Sequence, residues 1–131
     1  MSECNIFSKE WFDKYKLIIN YDQELSWVAK HMTCSFLWQI ENEQILFDVN
    51  KGKIVSIRYP NWNDSWHFSI EGPKNVWEVF IQKYPPPLYN SLLGLLTKHP
   101  DCALKGSRMI AMQNIRAIIR IFSLARYVPV P

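Results

Sequence analysis

The sequence predicts an α+β fold: a five-stranded, mostly antiparallel sheet covered on one face by helices. Three observations carry this. Apolar and polar residues alternate with the period of a half-buried strand in several consecutive runs, such as Cys34, Phe36, Trp38, Ile40 and then Ile45, Phe47, Val49. Short polar turns join these runs, which favours antiparallel neighbours. Apolar residues at helical spacing gather towards both ends of the chain, so helices from both ends must cover the apolar face of the sheet.

The elements follow in order. Ser8 caps a first helix, with Glu10 near its positive end and Trp11, Tyr15, Ile18 and Ile19 as its apolar stripe. Asp22 caps a shorter helix through Leu25, Val28 and Ala29. A strand over 33–40 is followed by the polar turn Glu41-Asn42-Glu43 and the run Ile45, Phe47, Val49. Asn50-Lys51-Gly52 makes a hairpin turn in which Gly52 takes positive φ. A third strand spans 54–59 and a loop spans 60–65. In the fourth strand, 66–71, Trp66, Phe68 and Ile70 alternate with His67, Ser69 and Glu71. Gly72-Pro73 stops it, and Pro73 suits the first turn of a helix bearing Val76, Trp77, Phe80 and Ile81. Pro85-Pro86-Pro87 forces a change of direction. A very apolar helix over 88–96 follows, weakened by about 1 kcal/mol at Gly94 relative to alanine. His99-Pro100 ends it. A short fifth strand over 102–105 and the turn Gly106-Ser107 lead into the longest helix, 107–127.

A chain of 131 residues fits one domain, 1–131. Aromatic residues make up 15% of it, with six Trp, six Tyr and seven Phe, so rings can line a cavity or a patch as well as fill a core. The net charge of +3 is too small to argue for nucleic acid. Its distribution is uneven: residues 98–131 hold six basic groups against Asp101, leaving 1–97 slightly acidic. Basic groups beside an apolar C-terminal helix suit an anionic membrane surface or a partner protein, but a solvated face whose Arg stems cover apolar surface is the favoured reading. Cys4, Cys34 and Cys102 have neither disulfide-framework nor zinc spacing. The N-terminal residues lack a secretory pattern, and no apolar run is long enough to span a bilayer. The expectation is a soluble, cytoplasmic protein.

Four segments together resemble one family. The closest is FSIEGPKNVWEVF, residues 68–80; the others are ILFDVNKGKIVSI (45–57), the opening Phe7-Ser8-x-x-Trp11, and ALKGS from Ala103, where Gly106 occupies the usual glycine. The ordered set is similar to the sterol carrier protein 2 (SCP-2) family, in a bacterial form. The resemblance implies a sheet with helices on one side enclosing an apolar tunnel that binds, and can transfer, a fatty acyl, sterol or isoprenoid ligand without a cofactor. Two features depart from it: the aromatic-rich loop around Trp62 and Asp64, and the PPPLYN corner, typical of a subset of bacterial relatives. The chain also ends Val128-Pro129-Val130-Pro131, without a peroxisomal tripeptide.

By that resemblance, Trp77, Phe80, Leu92, Leu93, Leu96, Met112, Ile115 and Ile119 are candidate tunnel walls, with Phe36, Trp38, Phe47 and Phe68 as the floor. Each also fits an ordinary core position. Independently, the C-terminal helix is apolar on more than one face, which calls for cover by a ligand, a subunit or a membrane. An enzyme reading is also open: a cofactor-independent isomerase, cyclase or hydratase using Asp64 and His67 as an acid–base pair beside Trp62 and Trp66. Against it, Asp64 also fits a solvated turn and His67 an outward strand position. His31, His67 and His99 lack metal-ligand spacing, so no metal site is expected. A third reading is an interaction subunit docking through its C-terminal helix.

Overall fold

The computed structural model describes residues 8–87 and 89–128. Helix α1, Lys9–Tyr21, starts where the Ser8 side chain accepts the Trp11 N–H, and α2, Gln23–Val28, starts where Asp22 accepts from Leu25. Strands β1, Cys34–Ile40; β2, Glu43–Asn50; and β3, Lys53–Arg58, form a meander. At the β2–β3 hairpin both Lys51 and Gly52 have positive φ, and a Cβ on Gly52 would lie 2.6 Å from the Ala29 carbonyl oxygen. Glycine is needed there for conformation and for space.

Strand β4, Phe68–Gly72, pairs parallel to β1, and β5, Ala103–Gly106, pairs antiparallel to β4. The sheet order is β3-β2-β1-β4-β5, antiparallel except at β1–β4. Between β4 and β5 lie α3, Lys74–Phe80, and α4, Leu92–Lys98. The chain closes with α5, Arg108–Gln113, α6, Ile115–Leu124, and a single 3-10 turn, Ala125–Tyr127.

Three boundaries differ from expectation. The fourth strand begins at Phe68, leaving Trp66 in the preceding loop and 38% exposed. The helix after the prolines begins at Leu92, where Ser91 caps it; Leu88 lies outside the described residues. The long C-terminal helix is divided at Asn114, whose side-chain amide donates to the Ile110 carbonyl at 2.9 Å. A side chain that bonds its own helix backbone competes with the regular ladder, a device that sequence periodicity does not reveal.

Register separates the two sheet faces. Phe36 is opposite both Phe47 and Phe68, and Trp38 is opposite Ile45 and Ile70, so these share the helix-covered face. Leu37, Leu46, Ser35 and Asp48 share the other. Residues 59–67 cross from edge strand β3 to β4 over that second face, since Asp64 in the crossing holds Arg58 and Arg58 also approaches Asp48. Leu37 and Leu46, each 1% exposed, are therefore core residues of the side away from the helices.

Two tertiary ties fix the helices over the sheet. The buried Tyr15 hydroxyl donates to the Ile121 carbonyl at 2.6 Å, joining α1 to α6. Arg120 on α6 makes a two-pronged bond to Asp22, the cap of α2, at 2.8 and 2.9 Å. Planar guanidinium and planar carboxylate match in this geometry.

Candidate functional site

A continuous layer of aromatic rings lies between the sheet and the helices. Phe36 stacks on Phe47 and on Phe68, with centroids 4.9 and 5.3 Å apart. Trp38 meets Trp77 edge to face at 5.4 Å, and Trp77 meets Phe80 at 5.6 Å. Phe122 of α6 completes the layer at 4.9 Å from Trp38. Offset and edge-to-face contacts at these separations are the favourable arrangements of aromatic quadrupoles.

Helix α1 closes this layer with two neighbouring rings, Trp11 and Phe12. Trp11 lies 6.3 Å from Trp38, and Phe12 lies 6.2 Å from Trp38 and 6.3 Å from Phe47. Each ring also forms the inner wall of a surface cleft. Phe12, Ile45 and Ile57 form the apolar floor of one, of about 160 Å³, rimmed by Lys9, Asp13, Arg58 and Tyr59. Trp11 walls the other, of about 250 Å³, with Ile81, Ala125 and Val128, and polar groups from Glu78, Gln82, Lys83 and Arg126. A third cleft of about 270 Å³ is polar and lies away from the rings, beside Glu41, Glu71 and Asp101.

The floor residues expected from sequence, Phe36, Trp38, Phe47 and Phe68, are all fully buried and joined in one chain of ring contacts that continues through Trp77 to Phe80. Leu92 is buried as well. Leu96, Ile115 and Ile119 are half-buried, while Leu93 and Met112 are 38% and 41% exposed. None of these twelve lines either of the clefts beside α1. The residues that do, Phe12, Ile57 and Arg126 among them, were not among the site residues expected from sequence. Phe12 flanks the Trp11–Tyr15 stripe by one position, and widening that stripe would have found it.

Asp64 and His67 have separate partners. The Asp64 carboxylate accepts from Arg58 at 2.6 and 3.1 Å and from the Asn61 N–H at 2.6 Å, and the Arg58 bonds followed by the Asn61 bond lower its pKa to about 2. His67 accepts the Ser35 N–H on Nδ1 at 3.0 Å, which places its ring proton on Nε2. A carboxylate so firmly held as an anion is a poor proton acceptor at neutral pH. It fastens the crossing loop to β3.

Burial alone raises the Cys34 thiol to about 11, and burial with the Asp101 charge does the same for Cys102. Both are inert apolar fillers under ordinary conditions. Among the described residues no group of three His, Cys, Asp or Glu converges as a metal set. No helix among them is long and apolar enough to cross a membrane. Of the C-terminal basic groups, Arg120 is tied to Asp22 and Arg126 to the carbonyls of Phe80 and Tyr89, whereas Arg108 and Arg116 are exposed.

No family model and no curated protein matches the sequence. Solved structures do match the fold. A crystal structure of sterol carrier protein 2 superposes with a TM-score of 0.75 at 16% identity, covering 95% of this chain and 99% of that one. A conserved Thermus thermophilus protein described as possibly a sterol carrier protein gives 0.70, also at 16% identity, covering 98% and 92%. A ubiquinone synthesis protein, UbiJ-SCP2, gives 0.58 at 8% identity, covering 86% and 90%. The helix-covered five-stranded sheet thus has an SCP-2-like fold.

Proposed function

We propose that this chain binds an apolar or amphipathic lipid-like molecule, a fatty acyl, sterol or isoprenoid compound, in the aromatic layer between sheet and helices. One observation carries the reading: Trp11 and Phe12 each face a cleft on one side and the sheet rings on the other. The fold adds support, since solved structures that share it are named as sterol carrier proteins.

Size determines how binding works. Ligand pockets span roughly 300–1,000 Å³, and each cleft beside α1 is smaller than that. A full-length ligand therefore needs α1 to shift its two rings away from the sheet. Each ring contact contributes about 0.5–1.5 kcal/mol beyond its area, whereas each methylene removed from water contributes about 0.8 kcal/mol. A chain of roughly ten methylenes offsets the loss of several ring contacts. Binding is thus an exchange of ring–ring for ring–lipid contact, and transfer between membranes is its natural use.

Native mass spectrometry of the purified protein, with and without added oleic acid or cholesterol, tests the reading. The expected result is a bound lipid at one per chain. A clean protein mass under all conditions, with no uptake of a fluorescent acyl or sterol probe, would overturn it.

A further inference from the structure

Arg126 stands apart from the other cations of this chain. Its Nε–H donates to the Phe80 carbonyl at 2.8 Å and Nη2 donates to the Tyr89 carbonyl at 3.2 Å. Its guanidinium carbon lies 4.4 Å from the Phe80 ring centroid. Arg58 and Arg120 each hold a carboxylate in a two-pronged bond, but no described carboxylate pairs with Arg126. Of the five N–H donors of a guanidinium, three have no partner among the described residues. The group is half-buried, and that burial disfavours its charged form, yet an arginine keeps its charge in a protein. A fixed, partly desolvated cation with unused donors is the setting in which an oxyanion binds most favourably.

Arg126 also lines the cleft walled by Trp11, Ile81, Ala125 and Val128. Lys83 adds a second cation there, and among the described residues Glu78 is the one acid, so the described lining carries a net positive charge. Apolar wall and cation thus meet in one place, and Trp11 links that place to the sheet rings.

We propose that this cleft is the head-group site for a long-chain carboxylate. Arg126 receives the carboxylate while the chain runs past Trp11 into the aromatic layer. This rests on the lipid-binding reading above and adds two things: a ligand class, the carboxylic amphiphile, and a direction, with the head at the end of α3 and the tail towards β1. Sterols and isoprenoid alcohols, which lack the anion, bind the same layer more weakly.

The test compares oleic acid, oleyl alcohol and sodium acetate as competitors of a fluorescent acyl probe at pH 8. The expected order is oleic acid about tenfold better than oleyl alcohol, the effect of roughly one charge-assisted bond, with acetate inactive. Arg126→Met reduces oleic acid to the level of the alcohol and leaves the alcohol unchanged. Glu78→Gln, which removes the acid of the cleft without touching the Arg126 bonds, improves oleic acid alone, and it keeps the test open if Arg126→Met fails to fold. Equal binding of acid and alcohol by the native protein would overturn the head-group site and leave the lipid-binding reading standing. An acid preference that survives in folded Arg126→Met would also overturn it, as would competition by acetate, which would mark a free anion site. Failure of both long-chain compounds to bind would instead defeat the lipid-binding reading itself.

Discussion

Asp64 lies three residues before His67, and that spacing suggested chemistry. Its partner is instead Arg58, six residues back, across a loop whose path the sequence does not display. Aspartate and arginine at such a distance are common in any sequence, so the pairing was illegible until the crossing of residues 59–67 was known. The lowered pKa gives the pair a pH signature. The unfolded chain takes up this proton near pH 4, whereas the folded chain resists it to about pH 2. Its stabilisation is therefore complete above pH 4 and lost as the pH falls towards 2. Asp64→Asn should flatten that part of the acid-unfolding curve and leave lipid binding unchanged; loss of binding would restore Asp64 to the site. Asp22 behaves similarly, its carboxyl lowered chiefly by the Arg120 bond. It also caps α2, so Asp22→Ala should cost about 1 kcal/mol through the cap alone and more through the severed tie to α6, as read by urea unfolding at pH 7. An unchanged midpoint would contradict both roles.

Elements were more legible than residues. Strand alternation placed Phe36, Trp38, Phe47 and Phe68 on one face, and the register confirms it. The caps at Ser8 and Asp22 were readable because a polar residue directly preceded an apolar periodic run. The break at Asn114 was not, since neither proline nor glycine marks it and the cause is a single side-chain bond. The parallel pairing of β1 with β4 depends on a long connection and has no local signal. Gly106 gives the sharpest test at this scale. Its φ is +92°, and a Cβ would lie 2.7 Å from the His67 carbonyl oxygen and 2.8 Å from Phe68 Cα. Both neighbours are backbone and cannot swing aside. Gly106→Ala should destabilise by roughly 1–3 kcal/mol and speed amide exchange in β4 and β5 first. Uniform loss of protection across the sheet would mean that this corner is not a local hinge of stability.

Across the whole molecule, the surplus of aromatic residues pointed to rings doing more than filling a small core. The structure gathers many of them into one layer closed by α1, with clefts behind Trp11 and Phe12. Sequence periodicity reveals which rings face inward but not which of them separates core from cleft, because that depends on how α1 lies against β3 and α6. Phe12→Ala should lower stability by about 3–5 kcal/mol if the site stays empty, and a bound acyl chain should recover part of this. Recovery that is no larger in Phe12→Ala than in the native protein would show that Phe12 does not border the ligand. The central claim is that a lipid chain enters the layer of rings, and tryptophan positions make it directly measurable. Trp11, Trp38 and Trp77 are buried in or against that layer, while Trp27 and Trp62 are 72% and 97% exposed. Titration with 9,10-dibromostearic acid, whose bromines quench nearby indoles, should saturably quench the blue-shifted emission of the buried set at about one ligand per chain. Quenching confined to the red-shifted, exposed tryptophans, or no saturable quenching at all, would contradict the account.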